Sequence, residues 1–146
     1  MTPDQIEMLQ ETFAVVELIS DQAAELFYGR LFQLDPSLRP MFRGDMVEQG
    51  RKLMQTIAVV VKNADRLETL LPAVQALGRR HATYGVRDEH YAIVASALLW
   101  TLEQGLGAAF TSEVREAWTT AYDVLASVMQ DAASDEIADG IALAAG

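Results

Sequence analysis

Apolar residues recur at intervals of three and four along most of the chain, which is the spacing of one face of an α-helix. Near the middle, this stripe runs through Val74, Leu77, Gly78 and His81, so an imidazole shares a helix face with core-directed groups. Gly85 follows at a position where a left-handed helix end is favoured. No strand-like alternation and no repeat period compete with this pattern. The sequence therefore predicts an all-α fold.

Cap and breaker residues divide the pattern into helices joined by short loops. Thr2 and Gln5 form a capping-box pattern, with Pro3 at the first helical position. In the first part of the chain the predicted helices are Pro3 to about Leu18, one capped by Ser20 and Asp21, a short one from Asp35 to near Phe42 that Gly44 breaks, and one from about Met46 to Val61. Asn63–Leu71 is predicted to be a connector with one capped turn. The later helices are Pro72 to Gly85, Asp88 to near Gly105 and Gly107, and a last one capped by Thr111.

The length of 146 residues is that of one domain. We expect this domain to cover residues 1–133 and the remaining residues, 134–146, to form a C-terminal tail. The segment from Asp131 onward is rich in alanine and aspartate, which is typical of a frayed helix extension or of disorder.

The charge and the residue types present exclude several functions. A formal net charge of −10 argues against binding to nucleic acid and to anionic membrane surfaces. The chain has no cysteine, which excludes disulfides, thiolate catalysis and zinc sites of the cysteine type. A secretory signal is not apparent, and the longest apolar stretch, Tyr91–Trp100, is about half a membrane span. We therefore expect a cytoplasmic protein.

Three polar side chains interrupt the predicted apolar faces. Tyr28 lies on the inward face of the second helix, Gln49 lies on that of the helix from Met46, and His81 lies on its own stripe. A buried donor without a partner costs roughly 1–3 kcal/mol, so each side chain needs one. Hydrogen bonds between them, or to backbone carbonyls, would account for any one of the three. For all three together, a ligand pocket is the more economical interpretation.

Five motifs occur along the chain in a set order and spacing. They are LFYGRLF around Tyr28, LDPSLRPMF with Pro36 and Phe42, VEQGRKLM around Gln49, LGRRHATYGV around His81, and EHYAIV at Glu89–Val94. With these motifs, over about residues 3–130, the chain resembles the bacterial single-domain globins, in particular the globin domains of flavohaemoglobins and their neuroglobin-like relatives. The resemblance implies a globin fold, a three-on-three helical sandwich around haem b.

The resemblance makes His81 the proximal iron ligand, with its other ring nitrogen donating to a backbone carbonyl, plausibly that of Leu77. Gly78 is explained either by a flat cofactor pressing close or by close packing of two helices. Tyr91 matches a proximal tyrosine of flavohaemoglobins, whereas the glutamate that joins it there falls at Ala133. The other expected cofactor contacts are Phe42 against the porphyrin, Leu53, Leu77, Val86 and Val94 on the pocket walls, and Lys52 and Arg80 at the haem propionates.

On the opposite side of the haem, the resemblance implies that Tyr28 and Gln49 donate hydrogen bonds to a diatomic gas. We therefore expect a haem protein that reversibly binds dioxygen, nitric oxide or carbon monoxide for storage, delivery or sensing, with no catalytic residue assigned. One alternative is a nitric oxide dioxygenase or weak peroxidase, which needs a separate reductase because no reductase domain follows residue 130. Another is a haem-free globin-like module for signalling or protein contacts. Oligomeric state and physiological gas are not indicated.

Overall fold

The computed structural model describes the backbone of residues 1–145 and the side chains of residues 1–134. Within the described backbone there are α-helices and short 3-10 helices and no strand, which confirms the all-α prediction. The 3-10 helices lie at Pro36–Met41, Ala64–Leu70 and Gly107–Ala109. The α-helices are α1 (Pro3–Glu17), α2 (Ser20–Leu34), α3 (Met46–Lys62), α4 (Leu71–Thr83), α5 (Asp88–Leu106) and α6 (Ser112–Ala145).

Side-chain caps begin three of these helices. The Thr2 hydroxyl accepts from the backbone N–H of Gln5, and the Gln5 side chain accepts from that of Thr2, so the predicted capping box is confirmed. Asp45 caps α3, and the Thr111 hydroxyl caps α6 as predicted. The predicted cap of α2 is wrong, because Ser20 already lies inside the helix and Ile19 stands at the cap without a side-chain hydrogen bond.

Glycines with positive φ follow α4 and α5. Gly85 has φ +93°, and the N–H of Val86 donates to the carbonyl of His81, which closes the end of α4 in a Schellman motif. This hydrogen bond fixes the loop that follows His81. Helix α5 ends at Leu106, between the two glycines predicted near its end, and Gly107, with φ +56°, stands at its cap.

The six helices pack three against three. Helix α4 lies across α6, α2 packs on both α3 and α5, and α1 contacts α3, α5 and α6. Two glycines allow the closest approaches. A Cβ atom on Gly50 would lie 2.8 Å from the Ala24 Cβ of α2, and one on Gly78 would lie 2.6 Å from the backbone Cα of Met129 in α6. Gly78 is therefore explained by helix–helix packing, the second of the two interpretations given above.

The largest group of buried apolar side chains fills the space between α1, α3, α5 and α6. Trp118 lies in it with its indole N–H donating to the Thr12 hydroxyl at 2.9 Å, so its one polar atom is satisfied. A second, smaller group is formed by Phe27, Leu31, Leu38 and Ala97. Tyr28, Phe42, Leu53 and Val94 pack against this second group.

The last helix extends through the segment that was predicted to be a tail, since α6 ends only at Ala145. The side chains of residues 135–146 lie outside the described part of the structure. The boundary between a domain 1–133 and a tail 134–146 therefore stays a prediction.

Helix α5 has a further property that the sequence analysis did not find. Together with the turn after it, over Asp88–Ala109, it is long enough and apolar enough to cross a membrane, judged by length and composition only. In the structure this helix packs against α1, α2 and α6. The core helix of a globular protein meets the same criterion, so this finding is weak evidence for a membrane span.

Candidate functional site

His81 lies in the last turn of α4 with a half-buried imidazole. Its Nδ1 atom lies 2.8 Å from the carbonyl oxygen of Leu77, one turn earlier, as the sequence analysis expected. Burial lowers the pKa of His81, against an opposing effect of the Leu77 hydrogen bond, and the charge of Arg80 lowers it further. The imidazole is therefore neutral at pH 7, with Nδ1–H as the donor and Nε2 carrying the free lone pair.

This donor set fits a metal that brings most of its own ligands. Among the described side chains, no group of three or more histidine, cysteine, aspartate or glutamate residues is placed to hold a metal ion. A single neutral imidazole is, however, what haem iron takes from a protein, because the porphyrin supplies four nitrogen ligands. His81, with Nε2 left over by its hydrogen bond to Leu77, meets that requirement.

Tyr28 lies on α2 in a cluster of aromatic rings. Its ring centroid is 5.0 Å from that of Phe27 and 5.3 Å from that of Phe42, both edge-on, and 6.1 Å from that of Phe32, which is stacked. Burial among these rings raises the pKa of Tyr28 to about 12. The hydroxyl therefore keeps its proton, and remains a hydrogen-bond donor, throughout the physiological pH range.

Tyr28 and Gln49 do not satisfy each other. Among residues 1–134, neither the Tyr28 hydroxyl nor the Gln49 amide makes a side-chain hydrogen bond, although Gln49 is half-buried on α3 and its backbone N–H donates to Asp45. The alternative in which the two side chains form ordinary hydrogen bonds within the core is thus not what the structure contains. Both donors stay available for a ligand.

The pocket walls fall into two groups. Phe42, Leu53 and Val94 pack with Tyr28 against the smaller buried group, so four of the predicted site residues meet at the junction of α2, α3 and α5. Leu77 and Val86 are half-buried beside His81, at the end of α4 and in the loop after it. The described contacts do not join these two groups, so a shared pocket that both line stays a prediction.

The same cluster contains apolar side chains that the sequence analysis did not assign to the site. Phe32 packs on both Tyr28 and Phe42, and Met41 and Ile93 also lie against the cluster. Phe32 was predictable, because it follows Tyr28 by four residues on the same helix face.

With this geometry described, the comparisons with known proteins identify the family. The sequence pattern of the globin family matches residues 25–129. The chain belongs to the globin family. Globins are haem proteins, and haem b is the cofactor of this one. The prediction of a three-on-three globin fold is confirmed.

Relatives of this globin are found among larger and smaller proteins. It is 34% identical to a flavohemoprotein of Vibrio cholerae over 134 residues, which are 90% of this chain but 34% of the relative. The chain thus spans about a third of the length of such flavohemoproteins. It is also 35% identical over 118 residues to neuroglobin of Danio rerio, which is 71% of this chain and 74% of the relative.

Solved structures agree with the fold. A bacterial globin from Campylobacter jejuni superposes with a TM-score of 0.80 at 27% identity, over 92% of this chain and 97% of that one. An engineered carbene transferase, made from a putative nitric oxide dioxygenase of Rhodothermus marinus, superposes with a TM-score of 0.83 at 23% identity, over 99% of each chain. At that identity, the second likeness shows the fold alone.

Lys52 and Arg80, the residues expected at the haem propionates, are both exposed. Lys52 stands beside Leu53 on α3, and Arg80 is close enough to His81 for its charge to lower the histidine pKa. Neither side chain forms a salt bridge with a described residue, because the one described ion pair joins Arg87 to Glu89 at 3.3 Å. Both cations are therefore free to meet carboxylates, and their role at the propionates stays a prediction.

Tyr91 is half-buried on α5, and its backbone carbonyl accepts a hydrogen bond from the Tyr122 hydroxyl of α6 at 2.6 Å. Burial raises the pKa of Tyr91, and the charge of Asp88 raises it further. The expected position of a network glutamate holds Ala133, which is half-buried and offers no carboxylate. This globin therefore does not form the proximal Glu–Tyr–His arrangement from that position.

The second histidine, His90, is buried with an exposed fraction of 3% and acts as a cap. Its Nδ1 atom accepts from the backbone N–H of Arg87 at 2.9 Å, which holds the start of α5. His90 falls in the first turn of the helix predicted to begin at Asp88, but its burial was not predicted.

Two cavities lie in the described part of the structure. An apolar cavity of about 20 Å³, room for one small molecule, lies behind Phe27 and Leu53 and extends towards Trp118. A surface cleft between α1, α2 and α3 has charged walls, with Glu17 and Asp21 opposite Arg51. Neither space contains His81.

Proposed function

We propose that this globin reversibly binds dioxygen, or another diatomic gas, for storage, delivery or sensing in the cytoplasm. The observation that supports this most directly is the Tyr28 hydroxyl among the rings of Phe27, Phe32 and Phe42, with the half-buried Gln49 on the neighbouring helix α3. The Tyr28 hydroxyl and the Gln49 amide have no side-chain hydrogen bond to any described residue, in a family whose members carry haem. The names of its relatives add haem chemistry but no physiological role.

When bound, haem would supply an iron at which a diatomic gas could bind. His81 would hold the cofactor through Nε2, while the Leu77 carbonyl fixes the orientation and tautomer of the ring through Nδ1. The Schellman motif at Gly85 holds the loop behind the imidazole. Because neutral imidazole is the ligating form, the lowered pKa of His81 favours ligation at neutral pH.

On the gas side, the chain supplies the Tyr28 hydroxyl and the Gln49 amide as hydrogen-bond donors. The rings of Phe27, Phe32 and Phe42 surround Tyr28, so a hydrogen bond from its hydroxyl acts in a medium of low polarity. A hydrogen bond to a ligand that takes up negative charge contributes about 1.5–3 kcal/mol. That is roughly ten- to a hundredfold in the dissociation constant. The proposal therefore includes tight dioxygen binding with slow release.

Absorption spectra of the purified protein in its ferric, ferrous and carbonmonoxy states test this proposal. A histidine-ligated haem that takes up carbon monoxide on reduction supports it. A protein that purifies without haem, and does not take haem up when it is added, is the third alternative, a haem-free interaction module. The same spectra report whether Tyr28 or Gln49 closes over the sixth position at rest.

A second candidate function is nitric oxide dioxygenation with electrons from a separate reductase. It is favoured by Tyr91 at the position of the proximal tyrosine and by the likeness to flavohemoproteins. Nitric oxide, dioxygen and one electron give nitrate, so each turnover needs one electron from outside the globin. Ala133 argues against full activity, since it removes the network carboxylate. Stopped-flow mixing of the oxygenated protein with nitric oxide, with and without a reductase, separates carrier from enzyme.

A further inference from the structure

The charges of this chain are separated along the sequence. Residues 39–87 contain nine of the 11 lysines and arginines but four of the 21 acidic residues, a formal charge of +5. The rest of the chain holds two cations and 17 acids, a formal charge of −15. Although the net charge of the whole chain is −10, residues 39–87 are a basic segment. This segment contains Phe42, Gln49 and His81.

All nine cations of this segment have exposed side chains. Arg39 lies 5.5 Å from the centre of the Phe32 ring and donates to the Phe42 carbonyl at 3.1 Å. Among the described residues, the sole salt bridge of the segment is that of Arg87 with Glu89, between two strongly exposed side chains. A pair between such exposed side chains contributes little to stability and is readily exchanged for another partner.

Six of these cations adjoin residues assigned to the haem slot, and we call them the basic rim. Arg43 follows Phe42, Lys52 precedes Leu53, Arg80 precedes His81, and Arg87 follows Val86. Acids are sparser at these positions, with Asp45 and Glu48 on the α3 side and Glu89 next to Arg87. The basic rim consists of Arg39, Arg43, Lys52, Arg79, Arg80 and Arg87.

Two propionates of a haem do not account for the whole rim. Lys52 and Arg80 are the residues expected to meet them, which leaves Arg39, Arg43 and Arg79 exposed and outside any described ion pair. Arg51 and Lys62, by contrast, line the cleft towards α1 and α2 and are not part of the rim. Of the rim cations that remain, Arg43 adjoins Phe42 and Arg79 adjoins Arg80 in sequence, and Arg39 donates to the Phe42 carbonyl.

We propose that the basic rim is the docking surface for a one-electron donor protein whose own cofactor is surrounded by acidic residues. The proposal rests on the proposed function, in which ferric haem must be returned to the ferrous state. In this step the donor loses one electron and ferric iron becomes ferrous, with no bond made or broken. An acidic donor would be repelled by the −15 of the remaining chain and attracted to the rim, so charge alone orients it with its cofactor towards the haem.

The experiment measures how the charge of a donor alters the rate at which the ferric protein is reduced. FMN semiquinone and lumiflavin semiquinone share one ring system, but FMN carries an anionic phosphate. At an ionic strength of about 10 mM, where charges act over roughly 30 Å, we expect FMN to react faster than lumiflavin by about threefold or more. The ratio should fall towards one at 0.5 M salt. A reduced, acidic [2Fe–2S] ferredoxin should show the same salt dependence.

Variants locate the effect. Arg43→Gln and Arg79→Gln remove rim cations to which no haem contact is assigned, and Arg115→Gln removes an exposed cation from the acidic part of α6. We expect the double rim variant to halve the FMN-to-lumiflavin ratio, or lower it further, and to slow reduction by the ferredoxin. Arg115→Gln should leave both unchanged. Haem content, carbon monoxide binding and thermal unfolding of each variant show whether the fold and the haem site are intact.

Several outcomes overturn the proposal. If FMN reacts more slowly than lumiflavin, the net charge governs approach and the rim does not. If Arg115→Gln acts as strongly as the rim variants, the effect is not local. The rim serves a membrane instead if the double rim variant loses binding to phosphatidylserine vesicles but is reduced by the ferredoxin at an unchanged rate. A protein that binds haem and carbon monoxide but fails these tests refutes the docking surface and leaves the proposed function standing.

Discussion

The Nδ1 atom of His81 and the carbonyl oxygen of Leu77 lie 2.8 Å apart, one helical turn from each other in α4. Because this carbonyl is an acceptor, it sets Nδ1 as the protonated nitrogen and leaves Nε2 as the one able to bind iron. The helix thus supplies both the ligand and the group that orients it. The His81 side of the site, the Tyr28 side, and the helix contacts that hold both can each be tested.

Tyr28→Phe removes the hydroxyl and keeps the ring among its aromatic neighbours. We expect dioxygen to dissociate from the ferrous variant at least severalfold faster, because the loss of a hydrogen bond to a charged acceptor costs about 1.5–3 kcal/mol. Stopped-flow displacement of dioxygen by carbon monoxide measures this rate. Tyr84→Phe is the control, since Tyr84 is 65% exposed and lies outside the cluster. An unchanged rate in Tyr28→Phe refutes the donor role.

Gly78→Ala tests the close contact between α4 and α6. A Cβ atom there would lie 2.6 Å from the Met129 Cα, and backbone cannot move aside as a side chain can. We expect the free energy of unfolding to fall by about 1–3 kcal/mol. Gly29→Ala is the matched control, because nothing lies within 4 Å of its added Cβ and it sits inside α2.

For Gly29→Ala we expect a gain of about 0.5–1 kcal/mol, since alanine favours the helix more than glycine does. Denaturant unfolding of the two variants measures both effects. Equal changes in the two would show that α4 and α6 do not meet at Gly78.

Stability at high pH depends on the buried tyrosines. Burial raises the pKa of Tyr28 to about 12 and raises that of Tyr122 well above its usual value. In the unfolded chain a tyrosine ionises near pH 10, whereas the folded state keeps these protons. Folding is therefore favoured fully below pH 10, and the free energy of unfolding should fall as the pH rises from 10 towards 12.

Tyr122→Phe isolates one part of that effect. The variant loses the hydrogen bond to the Tyr91 carbonyl, so at pH 7 we expect it to be less stable by about 1 kcal/mol. Its stability should decline less than that of the original chain between pH 10 and 12. Tyr84→Phe, at an exposed position, should match the original chain over the same range. Parallel declines for Tyr122→Phe and the original chain would contradict the account.

The order and type of the helices followed from the sequence, because period and caps act locally. Thr2 and Thr111 show this, since each side chain caps the helix that it precedes, as predicted. Ser20 failed as a cap because the turn from α1 places Ile19 there, which depends on how the two helices pack. The end of α5 followed from the sequence, since the helix stops at Leu106, between Gly105 and Gly107.

Within the site, contacts inside a single helix followed from the sequence, whereas contacts between helices did not. The inward positions of Tyr28, Gln49 and His81 were predictable from spacing, and so was the hydrogen bond from His81 to Leu77, which lies within one helix. The choice between two explanations of Gly78 required the position of α6, some fifty residues away in sequence. The burial of His90 and the hydrogen bond from Tyr122 to Tyr91 likewise depend on tertiary contacts.

The central claim is that His81 is the protein's iron ligand, and the absorption spectrum of the His81→Gly variant tests it most directly. We predict that this variant loses its haem, or holds it with a changed spectrum. Imidazole added in solution should occupy the vacated space and restore the original bands. A variant that keeps haem with an unaltered spectrum in the absence of imidazole would contradict the assignment.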